Sequence, residues 1–398
     1  MKKLLIGLVA SLSVLAIALF TWFRTPDIID TEVIDPFVLE IEQPSDSMLI
    51  QHELHNGSMQ LEVVNWGARI KSLCYQGTDV VLGFDTLEQY QTVKQNFGAV
   101  VGRYIGRIIG GTYVLDGDTA HLQLQASGDC GHGGNPNFGG RLWQYVPGLC
   151  NDTTVTLRYI SPDGENGFPG QLTILTTYTL TADALRIDYQ ARTTKPTVLN
   201  PSIHSFFNLT GDLSADILAE ELWIDSDSIA LYNEQKKVTG QLGCITQTPF
   251  DFRQPRTIGD SIDAPNFQLS VTGGYDHCYQ LKHYLYKSAA AQPAGSVDYD
   301  EHKALLATPV AHLHDNQTGL TMQVYTTEPA LQIYTANGHK GNILGKGDKV
   351  YPRRNAICFE TMHFPDSPNQ PQWPSAALRP GETFQSTTIY RFHSGFQL

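Results

Sequence analysis

An all-β architecture, an antiparallel sandwich or a large barrel, follows from three features of the 398-residue chain. Gly, Pro and aromatic residues are plentiful and only 17% of residues are charged, a turn-rich balance that favours strands over helices. Apolar and polar residues alternate with period two in segment after segment. Turn dipeptides separate these segments, and no strand–helix–strand alternation links them.

The first element is an export segment. Lys2 and Lys3 precede Leu4–Phe23, a stretch without a charge that is long for a signal-peptide core and about enough to span a bilayer. Residues 1–24 therefore read as a signal peptide or an N-terminal membrane anchor. Ala16-Ile-Ala18 offers a cleavage site, whereas the apolar Leu19, Phe20, Trp22 and Phe23 beyond it favour retention. Both readings place the body outside the cytoplasm, periplasmic or extracellular, because the basic residues lie mainly on the N-terminal side. Residues 25–45, acidic and Pro-containing, read as a linker. Residues 46–398 read as one β domain.

Within that domain Met59, Leu61 and Val63 alternate with Ser58, Gln60 and Glu62, as expected of a half-buried strand. The same pattern marks strands at Val155–Tyr159, Leu185–Tyr189 and Met322–Val324. Asp116-Gly117, Asp163-Gly164, Asn166-Gly167, Gly211-Asp212 and Gly273-Gly274 supply turns. Thr86–Lys94 alone resembles a short helix. Lys287–Asp300, poor in apolar residues, reads as an exposed loop. Ala356–Phe359 reads as a buried strand that runs into Glu360, where Pro365, Pro368, Pro371 and Pro374 follow and forbid further regular structure. This places Glu360 at the junction of a rigid strand end and a stiff loop.

Charge and composition exclude several functions. Without Lys2, Lys3 and Arg24 the body carries 24 basic against 40 acidic residues, a net charge of −16. Such a surface repels phosphate backbones, so nucleic acid is not a partner, and membrane contact is left to the N-terminal segment alone. Cys74, Cys130, Cys150, Cys244, Cys278 and Cys358 contain no CxxC, and their wide spacing is not that of a disulfide scaffold. His312-Leu-His314 puts two imidazoles on one strand face without an evident third ligand, so no metal is assigned. No GxSxG nucleophile elbow is present. Asn56, Asn151, Asn208 and Asn316 open glycosylation sequons, Asn208 in a segment expected to be buried.

Besides Glu360, four polar residues lie in settings that suit chemistry. Arg107 follows Gly106 in a glycine-punctuated strand. His132 is flanked by Gly131, Gly133 and Gly134, which permit close approach of a ligand to the backbone. His204, in Asn200-Pro-Ser-Ile-His-Ser-Phe-Phe-Asn-Leu209, stands before an aromatic pair that can hold its ring, and imidazole is the usual proton donor near neutral pH. Asp276 is presented by the turn Gly273-Gly-Tyr-Asp-His277. Each alone is equally an ordinary surface, turn or core residue.

Taken in order, these segments resemble the aldose 1-epimerase family. The matching pieces include Asn65-Trp-Gly-Ala68, Gly106-Arg-Ile108, His132-Gly-Gly134, Ser161-Pro-Asp-Gly-Glu-Asn-Gly-Phe-Pro-Gly170, His204-Ser-Phe-Phe-Asn-Leu209, Gly274-Tyr-Asp-His277, Leu331-Gln-Ile-Tyr-Thr335, and Phe359-Glu-Thr361 with Phe364-Pro-Asp-Ser-Pro-Asn-Gln-Pro371. They span residues 47–393. The resemblance implies a large antiparallel β-sandwich of the supersandwich type, with very little helix and an open cleft on one sheet. It also implies interconversion of the α and β anomers of a free aldose such as glucose or galactose, with no cofactor and no metal. Carried over motif by motif, it implies Glu360 as base and His204 as acid, with Arg107, His132, Asp276 and Gln332 binding the sugar. Because one base and one acid are needed, a bell-shaped pH dependence is expected.

The chain departs from the family pattern at four positions. Gly106 stands where the family usually has Asn, Ile203 and Phe206 flank His204 in place of Asn and Tyr, and Met362 replaces a common Gln. Three competing readings remain: a non-catalytic sugar-binding or sensor domain, a hexose-phosphate epimerase, and a glycosidase or lyase on a similar sandwich. The first would be expected to lose Glu360 or His204. The second needs a cationic phosphate pocket, and a glycosidase needs a second catalytic carboxylate, for which Asp276 is the candidate.

Overall fold

Strands dominate because the alternating segments bury one face each. In the computed structural model, which describes residues 35–38, 48–284 and 303–395, the Met59–Val64 strand buries Met59, Leu61 and Val63, while Gln60 is exposed. The segments expected at Val155–Tyr159, Leu185–Tyr189 and Met322–Val324 lie in the strands Thr154–Ser161, Ala184–Thr193 and Leu320–Thr326. The expected helix is Leu87–Thr92, capped by Thr86 and Gln89. A second short helix, Phe267–Thr272, was not anticipated, although Asn266 accepts from the Gln268 amide at its start and Gly273 closes its end. The N-terminal segment and the whole Lys287–Asp300 loop lie outside the described residues. Among the described residues, no helix is long and apolar enough to cross a membrane.

Residues 41–398 form one compact unit. Its largest layer is a nine-stranded sheet in which Leu172–Leu180, Ala184–Thr193, Phe384–Ser394 and Leu320–Thr326 are consecutive neighbours. Facing it is a six-stranded sheet ordered Phe206–Phe207, Ile357–Met362, Ala330–Tyr334, Asp276–Leu281, Ser226–Tyr232 and Val238–Cys244. Every pairing within these two sheets is antiparallel. This is the supersandwich expected.

The apolar core fills the space between the two sheets. Tyr390 donates to the Phe359 carbonyl at 3.0 Å, the Phe207 and Tyr390 rings lie 4.8 Å apart, and the Thr361 and Thr388 hydroxyls meet at 2.6 Å. These contacts fix which way the Ile357–Met362 strand faces. Phe359 and Thr361 point into the sandwich, so with a side-chain period of two Cys358, Glu360 and Met362 point out of it. The six cysteines are all free thiols. Asn208 is fully buried, with its side-chain amide donating to three main-chain carbonyls.

Candidate active site

Glu360 does not stand at a strand end. The strand continues to Met362, and Glu360 pairs across it with Gln332. The prolines that suggested an earlier end begin only at Pro365, and nothing in Glu360-Thr-Met362 opposes extended backbone. The consequence is a carboxylate carried inside the ladder with Ala330–Tyr334 and only 3% exposed.

The outward face of this sheet forms the floor of a cleft of about 380 Å³, within the usual size range of small-ligand sites. Glu360 and Gln332 are neighbours on that floor, and Asp276 stands one strand further on, where its oxygen Oδ1 accepts from Gln332 Nε2 at 2.7 Å. His204 enters from the Ser202–His204 strand, which pairs with Ala99–Val101. Its Nε2 lies 3.3 Å from Glu360 Oε1. Arg107 and His132 share a wall: Arg107 pairs with Gly131, and the His132 amide donates to the Gly106 carbonyl at 2.7 Å. All six residues singled out in the sequence line this one cleft.

Packing holds the His204 ring on every side. The Phe206 ring stacks on it at 4.9 Å and 25°, and His339 stacks on the far face of Phe206 at 5.4 Å. His132 meets it edge-on at 5.7 Å. Cys358 Sγ faces its Nδ1 at 3.5 Å, a weak sulfur contact that leaves Nε2 as the ring's working end. Gly274, at φ +141, has no room for a Cβ against Asn337 Oδ1, which explains the glycine ahead of Tyr275-Asp276.

Burial also governs protonation. It pushes the Glu360 carboxyl well above the ordinary carboxylate range, with the charge of Asp276 adding to the shift. Burial, reinforced by His132, lowers His204 to about 3. His132 falls to about 4, again through burial first and then Arg107. Burial thus favours the neutral form of both imidazoles. The Glu360–His204 pair shares one proton: protonated carboxyl with neutral imidazole, or carboxylate with imidazolium, are two placements of that proton across a 3.3 Å contact. His132 Nδ1 and Gln332 Oε1 are buried without a partner in the protein, which suits a ligand rich in hydroxyls.

The structure adds residues that the sequence did not mark. Lys236, Lys237, Tyr334 and His339 line the same cleft. Cys358 could have been found, since it lies two residues before Glu360 on one strand and so shares its face. Two departures from the family pattern prove to be neighbours: a Cβ on Gly106 would lie 3.1 Å from the Met362 methyl carbon. Gly106 also has φ +79, a left-handed conformation that suits glycine.

Metal chemistry finds little support in the donor sets. Among the described residues, His204, Cys358 and Glu360 are the one trio whose donor atoms lie within 4.8 Å of one another, and two of these are the proton-sharing pair itself. His312 and His314 are buried on the nine-stranded sheet with no third donor in range among the described residues.

A β-supersandwich with a polyol-sized polar cleft around an imidazole–carboxylate pair defines the class, a sugar-handling enzyme that works by acid–base chemistry. Comparison with known proteins narrows the class. A family model for aldose 1-epimerase matches residues 51–391. Human galactose mutarotase is 34% identical over 357 residues, covering 88% of this chain and 96% of its own. The aldose 1-epimerase of Escherichia coli is 34% identical, covering 85% and 93%. Among solved structures, galactose 1-epimerase from Lactobacillus acidophilus superposes with a TM-score of 0.74 at 23% identity, over 90% of this chain and 98% of that one. The chain belongs to the aldose 1-epimerase family.

Proposed function

We propose that Glu360 and His204 are the base and acid of an aldose 1-epimerase acting on free hexoses such as galactose and glucose. The observation that carries this reading is the 3.3 Å separation of His204 Nε2 and Glu360 Oε1 on the cleft floor. Ring opening needs a proton removed from the anomeric hydroxyl and another delivered to the ring oxygen. Both oxygens are bonded to the same carbon, so acid and base must stand side by side, as these two do.

Glu360 as carboxylate takes the hydroxyl proton, and the carbonyl forms at C1. The C1–ring oxygen bond breaks, and His204 as imidazolium protonates the departing oxygen. After rotation about C1–C2, His204 removes that proton, the oxygen attacks the other face of the aldehyde, and Glu360 returns its proton to the new hydroxyl. The pair ends with the proton it began with, so no external acid, base or electron carrier is consumed. Arg107, His132, Asp276 and Gln332 hold the sugar while the chain is open.

The test is polarimetry of fresh α-D-galactose and α-D-glucose. Mutarotation accelerated by the wild type, and abolished by Glu360→Gln or His204→Asn in folded protein, supports the assignment. A wild type that leaves the spontaneous rate unchanged defeats it for those sugars. We propose further that the reaction runs outside the cytoplasm, a reading supported by Lys2, Lys3 and the uncharged Leu4–Phe23 stretch. Fractionation of expressing cells tests this, and protein confined to the cytoplasm would overturn it.

A further inference from the structure

The turn that joins the Ser226–Tyr232 and Val238–Cys244 strands lies over the cleft, and its two lysines reach opposite walls. Asn233 braces the turn: its side-chain oxygen accepts from the amides of Gln235 and Lys237, both at 3.0 Å. Lys236 adopts φ +57, a left-handed conformation that non-glycine residues hold only under such bracing. Lys237 Nζ reaches Asp129 Oδ1 at 2.7 Å, on the segment that carries Cys130 and Gly131 beside Arg107. Lys236 Nζ reaches Asp276 Oδ2 at 2.8 Å.

Asp276 is therefore gripped twice, by Gln332 at Oδ1 and by Lys236 at Oδ2. We propose that Lys236 is a positioning residue of this enzyme, one that orients Asp276 toward the sugar and cancels its charge beside the Glu360–His204 pair. This rests on the acid–base reading above. Asp276 is the charged group whose field acts on Glu360. The other titratable groups facing Glu360 are His204, Cys278, Cys358, Tyr334 and Tyr390, which are neutral when the pair carries its proton on Glu360. Around Asp276 stand the charged Lys236 and Arg107, with His132, Tyr232, His277, Tyr334 and Cys358. Arg107 hydrogen-bonds Ser127 at 3.3 Å, so Lys236 is the cation in direct contact with Asp276.

Losing Lys236 leaves an uncompensated negative charge near the reactive pair. Such a field holds protons more tightly, so both the gain of a second proton and the loss of the shared one occur at higher pH. A lysine that merely braces the turn would lower activity without moving the pH dependence.

The experiment is the pH dependence of kcat/KM for α-D-galactose in wild type, Lys236→Met, Lys236→Arg and Lys237→Met, with the spontaneous rate subtracted. Lys236→Met is expected to lose about tenfold in kcat/KM, as for a charged hydrogen bond in a half-exposed setting. Its bell should shift upward by on the order of half a pH unit, the effect of one nearby charge. Lys236→Arg, which keeps the charge, should restore the wild-type bell, and Lys237→Met, which cuts the other tether, should leave its position unmoved. A bell that stays in place in Lys236→Met, fails to return in Lys236→Arg, or moves equally in Lys237→Met overturns the proposal. An inactive wild type is a different result, because it removes the epimerase reading itself.

Discussion

Two buried imidazole–carboxylate pairs sit three residues apart along one stretch of chain. His204 meets Glu360 at 3.3 Å, and His363 meets Glu328 at 2.9 Å. By composition and burial they are twins. His363 and Glu328 are outside the cleft lining, however, and the His363 main chain is locked to the Asn200 side-chain amide in both directions, at 2.9 and 3.2 Å. The Glu328 amide donates to Thr326 Oγ1 at 3.1 Å. Around His204 and Glu360 the opposite holds: a weak sulfur contact at Nδ1, and nearby polar atoms on His132 and Gln332 left without protein partners. A close buried pair is thus no signature of catalysis. The signature is a pair whose surroundings leave hydrogen bonds for something else.

The sharpest way to break this comparison is to neutralise each carboxylate in turn. Glu360→Gln keeps the shape and should cut kcat by about 10³-fold, the usual scale of a lost general base, while the melting temperature changes little. Polarimetry paired with a thermal melt checks it, and a rate within tenfold of wild type would refute the assignment. Glu328→Gln should do the reverse. It removes the charge from His363's hydrogen-bond partner and should cost about 1.5–3 kcal/mol in urea titration, while the folded fraction keeps its kcat within a few-fold. If kcat falls as far as in Glu360→Gln, the distinction between the two pairs is lost.

A smaller effect is expected one strand away. Asp276→Asn removes a charged acceptor for a sugar hydroxyl, worth about 1.5–3 kcal/mol, and should appear mainly as a raised KM. A change confined to kcat would argue against a binding role. The pH dependence sharpens the comparison further. Because burial lowers His204 to about 3 and raises Glu360, the one-proton form of the pair spans a wider window than free imidazole and carboxylate would. Acid inactivation of kcat/KM should therefore begin below the ordinary carboxylate range, and a limb near pH 6, the region of free imidazole, would contradict the shared-proton state. The mildest test is Phe206→Leu. Loss of the ring stack should cost about 0.5–1.5 kcal/mol, seen as a several-fold lower kcat at unchanged KM.

Much of this arrangement was legible in the residues, and the reasons for the exceptions are physical. Alternation located the strands because each buries a single face. The glycines around His132 and before Tyr275-Asp276 marked places where backbone approaches closely. The depth of Glu360 was hidden because a run of prolines announces where a strand must have ended and leaves its last residue open. Lys236 and Lys237 were hidden because two lysines in a polar turn look like a solvated loop, and their targets, Asp276 and Asp129, come from distant parts of the chain. The contact between Gly106 and Met362 likewise joins residues more than 250 positions apart, which no local pattern records.

The alternating faces of the Ile357–Met362 strand carry a further consequence. Phe359 and Thr361 face the sandwich, while Cys358, Glu360 and Met362 face the other side of the sheet, where Glu360 lines the cleft, so function and folding are interleaved residue by residue. A slip of one position against Ala330–Tyr334 would turn a carboxylate into the sandwich and a phenyl ring into the cleft, disabling both at once. Substitutions in this strand can be tolerated singly, but a one-residue insertion or deletion here has no neutral outcome. The strand tolerates changes of letter and no changes of count.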